Sequence, residues 1–175
     1  TIKKWKAWQE QSNEFGFKYN RRVVKTGLFP NGSGVVIEKG LIVTNFHVIS
    51  DAFNQNQELI VENHLGKTVK TQILGFDLEA DIAVLGIIDS IDLKPFKIRK
   101  NIDQVKVGES VIAIGNPQGL GQSFSKGIVS AINRTFQDKK GNFIQTDASI
   151  NPGNSGGALI DDKGRLLGVV NVIRS

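Results

Sequence analysis

The sequence has no cysteine and only two histidines, four prolines and one tyrosine among its 175 residues. Without cysteine there are no disulfides and no C-x-x-C metal sites, which fits either an envelope protein without cross-links or a reducing cytosol. Two histidines and no H-E-x-x-H pattern leave a metal enzyme short of ligands, so neither a metal nor another cofactor is expected. No apolar run approaches the ~18 residues of a membrane-spanning helix, and no secretory leader pattern opens the chain. The chain therefore reads as a soluble domain, mature or trimmed. Excess charge is also missing from most of it. Residues 1–30 carry seven Lys/Arg against Glu10 and Glu14, which accounts for the whole net charge of +5. With basic charge confined to one end and no recognition motif, nucleic acid is not an expected partner. Internal repeats and low-complexity tracts are absent.

Glycine is plentiful, at nineteen residues, and the most informative stretch is Asn151-Pro152-Gly153-Asn154-Ser155-Gly156-Gly157. It sets one serine among glycines, where the backbone can bend so that neighbouring amides gather around a negative charge. A serine hydroxyl becomes a nucleophile only when a base takes its proton, and the tetrahedral oxyanion it creates needs fixed N–H donors. Of the two histidines, His64 lies in the polar stretch Glu62–Gly66 and reads as a solvated hairpin residue. His47 ends the apolar run Leu41–Ile49, where by default it is a hydrogen-bonded core residue. Asp81 stands at the mouth of the strand-like run Ile82–Leu85, where a carboxylate needs a partner. Asp77 and Glu79 before it read as solvated turn acids. Singly, each residue has an ordinary structural explanation. Their order, His then Asp then Ser, is that of the chymotrypsin-type triad.

Three blocks make the resemblance specific: Thr44-Asn45-Phe46-His47-Val48, Asp81-Ile82-Ala83-Val84-Leu85, and Gln145–Gly157. Gly32-Ser33-Gly34-Val35-Val36-Ile37, Ile114–Gly119 and Gly127-Ile128-Val129-Ser130 support them. From about Gly32 to about Gly168 the chain resembles the HtrA/Deg-type trypsin-like (chymotrypsin-fold) serine proteases. The resemblance implies an all-β fold of two antiparallel six-stranded β-barrels with the triad in the cleft between them. The function implied is a serine endopeptidase acting on unfolded or misfolded proteins. His47, Asp81 and Ser155 would be catalytic, with the amides of Gly153, Asn154 and Ser155 forming the oxyanion hole. Ser149, Ile150, Val170 and Asn171 would line the specificity pocket; uncharged Ser149 and Ile150 favour small or medium apolar residues over Lys or Arg. Asn154 stands where classical trypsins carry an acid, so activation by a buried ion pair with a new N-terminus is not available. Ordering of loops Thr135–Thr146 and Asp147–Asn154 is expected instead. The resemblance further implies polypeptide substrates, trimer-based homo-oligomers, and an envelope, periplasmic or extracellular location in preference to an organelle or the cytosol.

Coarse periodicity places strands near 22–26, 33–38, 41–45, 57–62, 67–75 and 81–87, a linker at 89–107, and further strands near 110–115, 123–132, 142–147, 156–160 and 164–172. Barrel one then spans about 22–88 and barrel two about 108–175, within a protease domain of 31–175. Barrel two is short of its last strand, and no PDZ-like segment is present in the chain. Ile2, Trp5 and Trp8 recur at helical spacing, so residues 1–30 read as a basic arm or helix docked on the barrel or on another subunit. Membrane contact is the alternative. The nucleophile elbow of α/β-hydrolases also fits Gly153–Gly157, but both histidines precede Ser155 and strands follow it. The runner-up function is a catalytically silent trypsin-fold module that binds peptides or partner proteins.

Overall fold

A computed structural model describes residues 2–6, 27–89, 93–116, 121–136, 139–151 and 153–171. Among the described residues, twelve strands and one α-helix follow one another: β1 (Ile2–Lys6), β2 (Gly27–Gly32), β3 (Val35–Glu38), β4 (Leu41–Thr44), α1 (Phe46–Asn54), β5 (Leu59–Glu62), β6 (Thr68–Asp77), β7 (Ile82–Ile87), β8 (Ser110–Gly115), β9 (Ser123–Phe136), β10 (Lys139–Thr146), β11 (Ala158–Asp161) and β12 (Leu166–Val169). They form a seven-stranded sheet in the order β2-β1-β5-β6-β7-β4-β3 and a five-stranded sheet in the order β10-β9-β8-β11-β12. All the strand ladders are antiparallel.

Alternation sets which face is buried. β8 reads Ser-Val-Ile-Ala-Ile-Gly, with Val111, Ala113 and Gly115 buried and the residues between them half-buried. The first sheet closes over Ile42, Val61, Val69, Ala83 and Leu85, and the second over Val105, Val111, Ala113, Val129 and Leu159. β11 is buried along its whole length because its two faces meet different partners. Leu159 packs in the second core, whereas Ala158 and Ile160 join Val35, Ile37 and Phe96 in a third cluster that glues the sheets together.

Three departures from the sequence expectations have physical causes. Residues 2–6 are not helical. They form β1, hydrogen-bonded between β2 and β5 with Ile2 opposite Val61, so sheet pairing overrides the local spacing of Ile2 and Trp5. Trp8 and the strand expected at 22–26 lie outside the described residues. Second, the strand expected near 41–45 is β4, but a helix that was not expected, α1, follows it directly. Val48, Ile49 and Ala52 share one helical face and fill the first core. Third, most of the 135–146 loop is the β9–β10 ladder, with register shifts between Lys139 and Thr146.

The connection between the sheets is stitched to both. Phe96 N–H donates to Val36 O at 2.9 Å, and Leu166 N–H donates to Lys97 O at 2.8 Å. Arg99 pairs with Glu109 at 2.6 Å and approaches buried Asp161 at 3.8 Å. The Arg99 hydrogen bond holds the Glu109 carboxyl below its ordinary range. Burial pushes the Asp161 carboxyl up, but donors from Arg165 and Lys163 outweigh it and the net direction is down.

Candidate active site

His47 occupies the first turn of α1, directly after the Asn45 link that ends β4. Asp81 precedes β7, at the end of a turn in which Asp77 Oδ1 accepts from Glu79 N–H at 2.9 Å and Ala80 N–H at 3.0 Å. Asp81 itself adopts φ 54°, a left-handed conformation that short polar residues tolerate. The two residues meet twice. His47 Nδ1 lies 2.7 Å from Asp81 Oδ2, and His47 N–H donates to Asp81 Oδ1 at 2.9 Å. Asn171 Nδ2 donates to the same Oδ2 at 3.0 Å. Behind them, Asp81 O accepts from Asn45 Nδ2 at 3.0 Å and from Phe46 N–H at 3.2 Å.

Burial divides the pair usefully. The Asp81 side chain is 8% exposed and the imidazole 46% exposed. A buried carboxylate accepts hydrogen bonds, so Nδ1 is assigned the proton that Asp81 accepts, which leaves the lone pair on Nε2. That is the tautomer a general base needs.

Ser155 is reached from the other sheet. Gly153 at φ 97° and Gly156 at φ 82° turn the chain tightly on either side of it. Asn154 N–H donates to Asn151 O at 3.0 Å, Gly157 N–H to Asn154 O at 2.8 Å, and Gly156 N–H to Val170 O at 2.8 Å. Ser33 N–H donates to Ser155 O at 2.8 Å, tying the loop to the first sheet. Val170 neighbours Asn171, so this bracket lies one residue from the amide that holds Asp81. Among the described residues, the amides of Gly153 and Ser155 make no hydrogen bond within the fold. Nor does any hydrogen bond there join the Ser155 hydroxyl to His47, a gap common in ligand-free active sites.

Gly156 has no room for a side chain. A Cβ there would lie 2.1 Å from Ser33 O and 2.2 Å from Thr44 Oγ1, at a φ of +82°. Gly156→Ala is expected to lower stability by about 3 kcal/mol or more. A thermal melt should then show Tm down by roughly 6–12 °C for a chain of this size. A shift below about 2 °C would contradict this packing.

Several expected roles change. The Asn154 amide, expected as an oxyanion donor, donates to Asn151 O, and its side chain is buried. The side-chain amide of Asn171, expected in the specificity pocket, donates to Asp81. The Val170 side chain packs in the second core, leaving only its backbone to bracket the serine loop. Ser149 is exposed, with its carbonyl accepting from Ser125 Oγ at 2.7 Å, and Ile150 rests partly buried on the second core. His64 is exposed in a turn where Asn63 Oδ1 accepts from Leu65 and Lys67 amides. Among the described residues no group of His, Asp and Glu is placed to hold a metal ion. Neither the 560 Å³ hollow beside Lys97 and Arg165 nor the 430 Å³ cleft beside Ser33, His64 and Phe96 includes His47, Asp81 or Ser155. Sequence reasoning missed the links of Asn171 and Ser33, since their partners lie 90 and 120 residues away.

Comparison with known proteins agrees with this geometry. The trypsin-like peptidase domain family matches residues 32–169. The periplasmic pH-dependent serine endoprotease DegQ of Escherichia coli (strain K12) is 44% identical over 146 residues, covering 81% of this chain and 31% of that protein. Serine endoprotease DegS of Haemophilus influenzae is 46% identical over 143 residues, covering 79% of this chain and 40% of that protein. The chain thus spans less than half the length of these relatives. The solved HtrA-type protease AlgW with decapeptide superposes with a TM-score of 0.83 at 34% identity, over 99% of this chain and 56% of that one. With a His47–Asp81 pair on one sheet and a glycine-framed serine on the other, the chain is similar to these HtrA/Deg-type proteases and belongs to the trypsin-like peptidase domain family.

Proposed function

We propose that the chain is the catalytic unit of a serine endopeptidase that cuts unfolded polypeptides. The observation that carries this reading is the His47–Asp81 pair, whose 2.7 Å hydrogen bond leaves Nε2 free as a base. His47 Nε2 removes the Ser155 hydroxyl proton as Oγ bonds to the peptide carbonyl carbon. The carbonyl π electrons move onto oxygen, and the free amides of Gly153 and Ser155 stabilise the resulting oxyanion. The C–N bond then breaks, His47 gives its proton to the leaving amine, and an acyl-Ser155 ester remains. Water, deprotonated by His47, attacks that ester; the acid leaves and Oγ recovers its proton. Asp81, held by Asn171, stabilises the imidazolium in both halves.

Ser149 and Ile150 carry no charge and sit at the start of the serine loop, which favours cleavage after small or medium apolar residues. The strand Ile2–Lys6 supports the N-terminal segment as an arm docked on the first barrel, and homo-oligomeric assembly belongs to the same reading. The test is digestion of unfolded casein by the chain, with cut sites mapped by mass spectrometry. Cuts after Ala, Val or similar residues are expected. Casein bound but left intact would favour the peptide-binding module, and cuts confined to Lys or Arg would overturn the pocket assignment.

A further inference from the structure

The geometry points to Ser33 as a positioning residue for the oxyanion-binding loop, an inference that rests on the protease reading. Ser33 is 4% exposed and lies between β2 and β3, on the opposite sheet from the loop it contacts. Every polar atom it has is engaged. Its N–H donates to Ser155 O at 2.8 Å, and its carbonyl accepts from Thr44 Oγ1 at 2.7 Å. Its hydroxyl accepts from Asn116 N–H at 2.8 Å and donates to Gly153 O at 2.8 Å. The direction of that relay is forced. An amide only donates and a carbonyl only accepts, so the Oγ proton must point to Gly153.

The consequence emerges when the loop is taken one peptide unit at a time. The 153–154 unit is held at both ends: its carbonyl by Ser33 Oγ, its amide by Asn151 O. The 155–156 unit is also held at both ends, its carbonyl by Ser33 N–H and its amide by Val170 O. Between them, the 154–155 unit is held only by its carbonyl, which accepts from Gly157, and the Ser155 amide stays open. Ser33 therefore fixes one group in each unit that flanks the open amide. Gly153, at φ 97° and without a Cβ, has wide backbone freedom, so a bond to its carbonyl selects one conformer among several. An oxyanion hole works because its donors are aligned before reaction, and Ser33 supplies that alignment from the neighbouring barrel.

Ser33→Ala removes the relay while keeping both backbone bonds. With turnover normalised to fluorophosphonate-titrated sites, kcat on a peptide substrate should fall about 10- to 100-fold while KM changes less than about twofold. The pH midpoint of kcat/KM should stay where it is in the unmodified chain, because the His47–Asp81 pair is untouched. Ser33→Cys places a somewhat larger and weaker donor at the same position, should fall between the two, and carries the test if the alanine variant does not fold. Unchanged kcat per titrated site in a folded Ser33 variant overturns the proposal, as does a loss confined to KM. An unmodified chain that neither cleaves nor labels overturns the protease reading instead, so the two failures are distinct.

Discussion

Ser155→Ala is expected to lower casein turnover by about five to six orders of magnitude, the scale seen when a triad nucleophile is removed. The methyl group leaves nothing to bond to the peptide carbonyl, so the acyl ester cannot form. What remains is the modest help of the Gly153 and Ser155 amides and substrate binding. Folding should be spared. The loop is held through backbone groups, Ser155 O to Ser33 N–H and Gly156 N–H to Val170 O, none of which the substitution alters. Tm is therefore expected to move by no more than a few degrees, which a circular-dichroism melt reads directly. Turnover within tenfold of the unmodified chain would remove the serine from the mechanism.

Asp81→Asn should lower kcat about 10⁴-fold, the magnitude known for the chymotrypsin-type triad. The substitution suits the backbone, since asparagine accepts the φ of 54° at least as readily as aspartate. The fault is in the donors. Oδ2 receives both His47 Nδ1 and Asn171 Nδ2, and Oδ1 receives His47 N–H. If the new NH₂ takes the Oδ2 position, it faces Asn171 as donor to donor. It also forces the imidazole proton onto Nε2, and the base is lost. If the amide flips, NH₂ meets the His47 backbone N–H instead. Neither arrangement keeps all three hydrogen bonds, and neither carries the negative charge that stabilises the imidazolium. Steady-state kinetics at neutral pH should show the loss in kcat, and a loss below about tenfold would contradict the role given to Asp81.

The parts of the site visible in the sequence were those in which the chemistry itself dictates local composition. A serine among glycines, a histidine in an apolar run and an acid at a strand mouth each have an ordinary reading alone, but their order along the chain, His then Asp then Ser, stands out. The wider shell was hidden because it depends on partners brought near only by folding. Asn171 reads as a pocket residue until the second sheet sets it on Asp81. Ser33 stood inside a Gly-Ser-Gly segment with nothing local to mark it as a link between barrels. Asn154 was drawn into the oxyanion hole by its neighbours, although its amide closes a turn on Asn151. Within the fold, the alternating strands β6 and β8 were legible from their period of two. α1 was not, because Val48, Ile49 and Ala52 extend an apolar run that already satisfied a strand. β1 exists through its neighbours β2 and β5, and no local spacing in residues 2–6 announces them.

One measurement reaches the central claim most directly: treat the chain with a fluorophosphonate and locate the adduct by peptide mass spectrometry. A single phosphonyl group on Ser155, formed at a rate that drops sharply in Asp81→Asn, is the predicted result. No adduct, or one carried equally by other serines and indifferent to Asp81, would contradict the account.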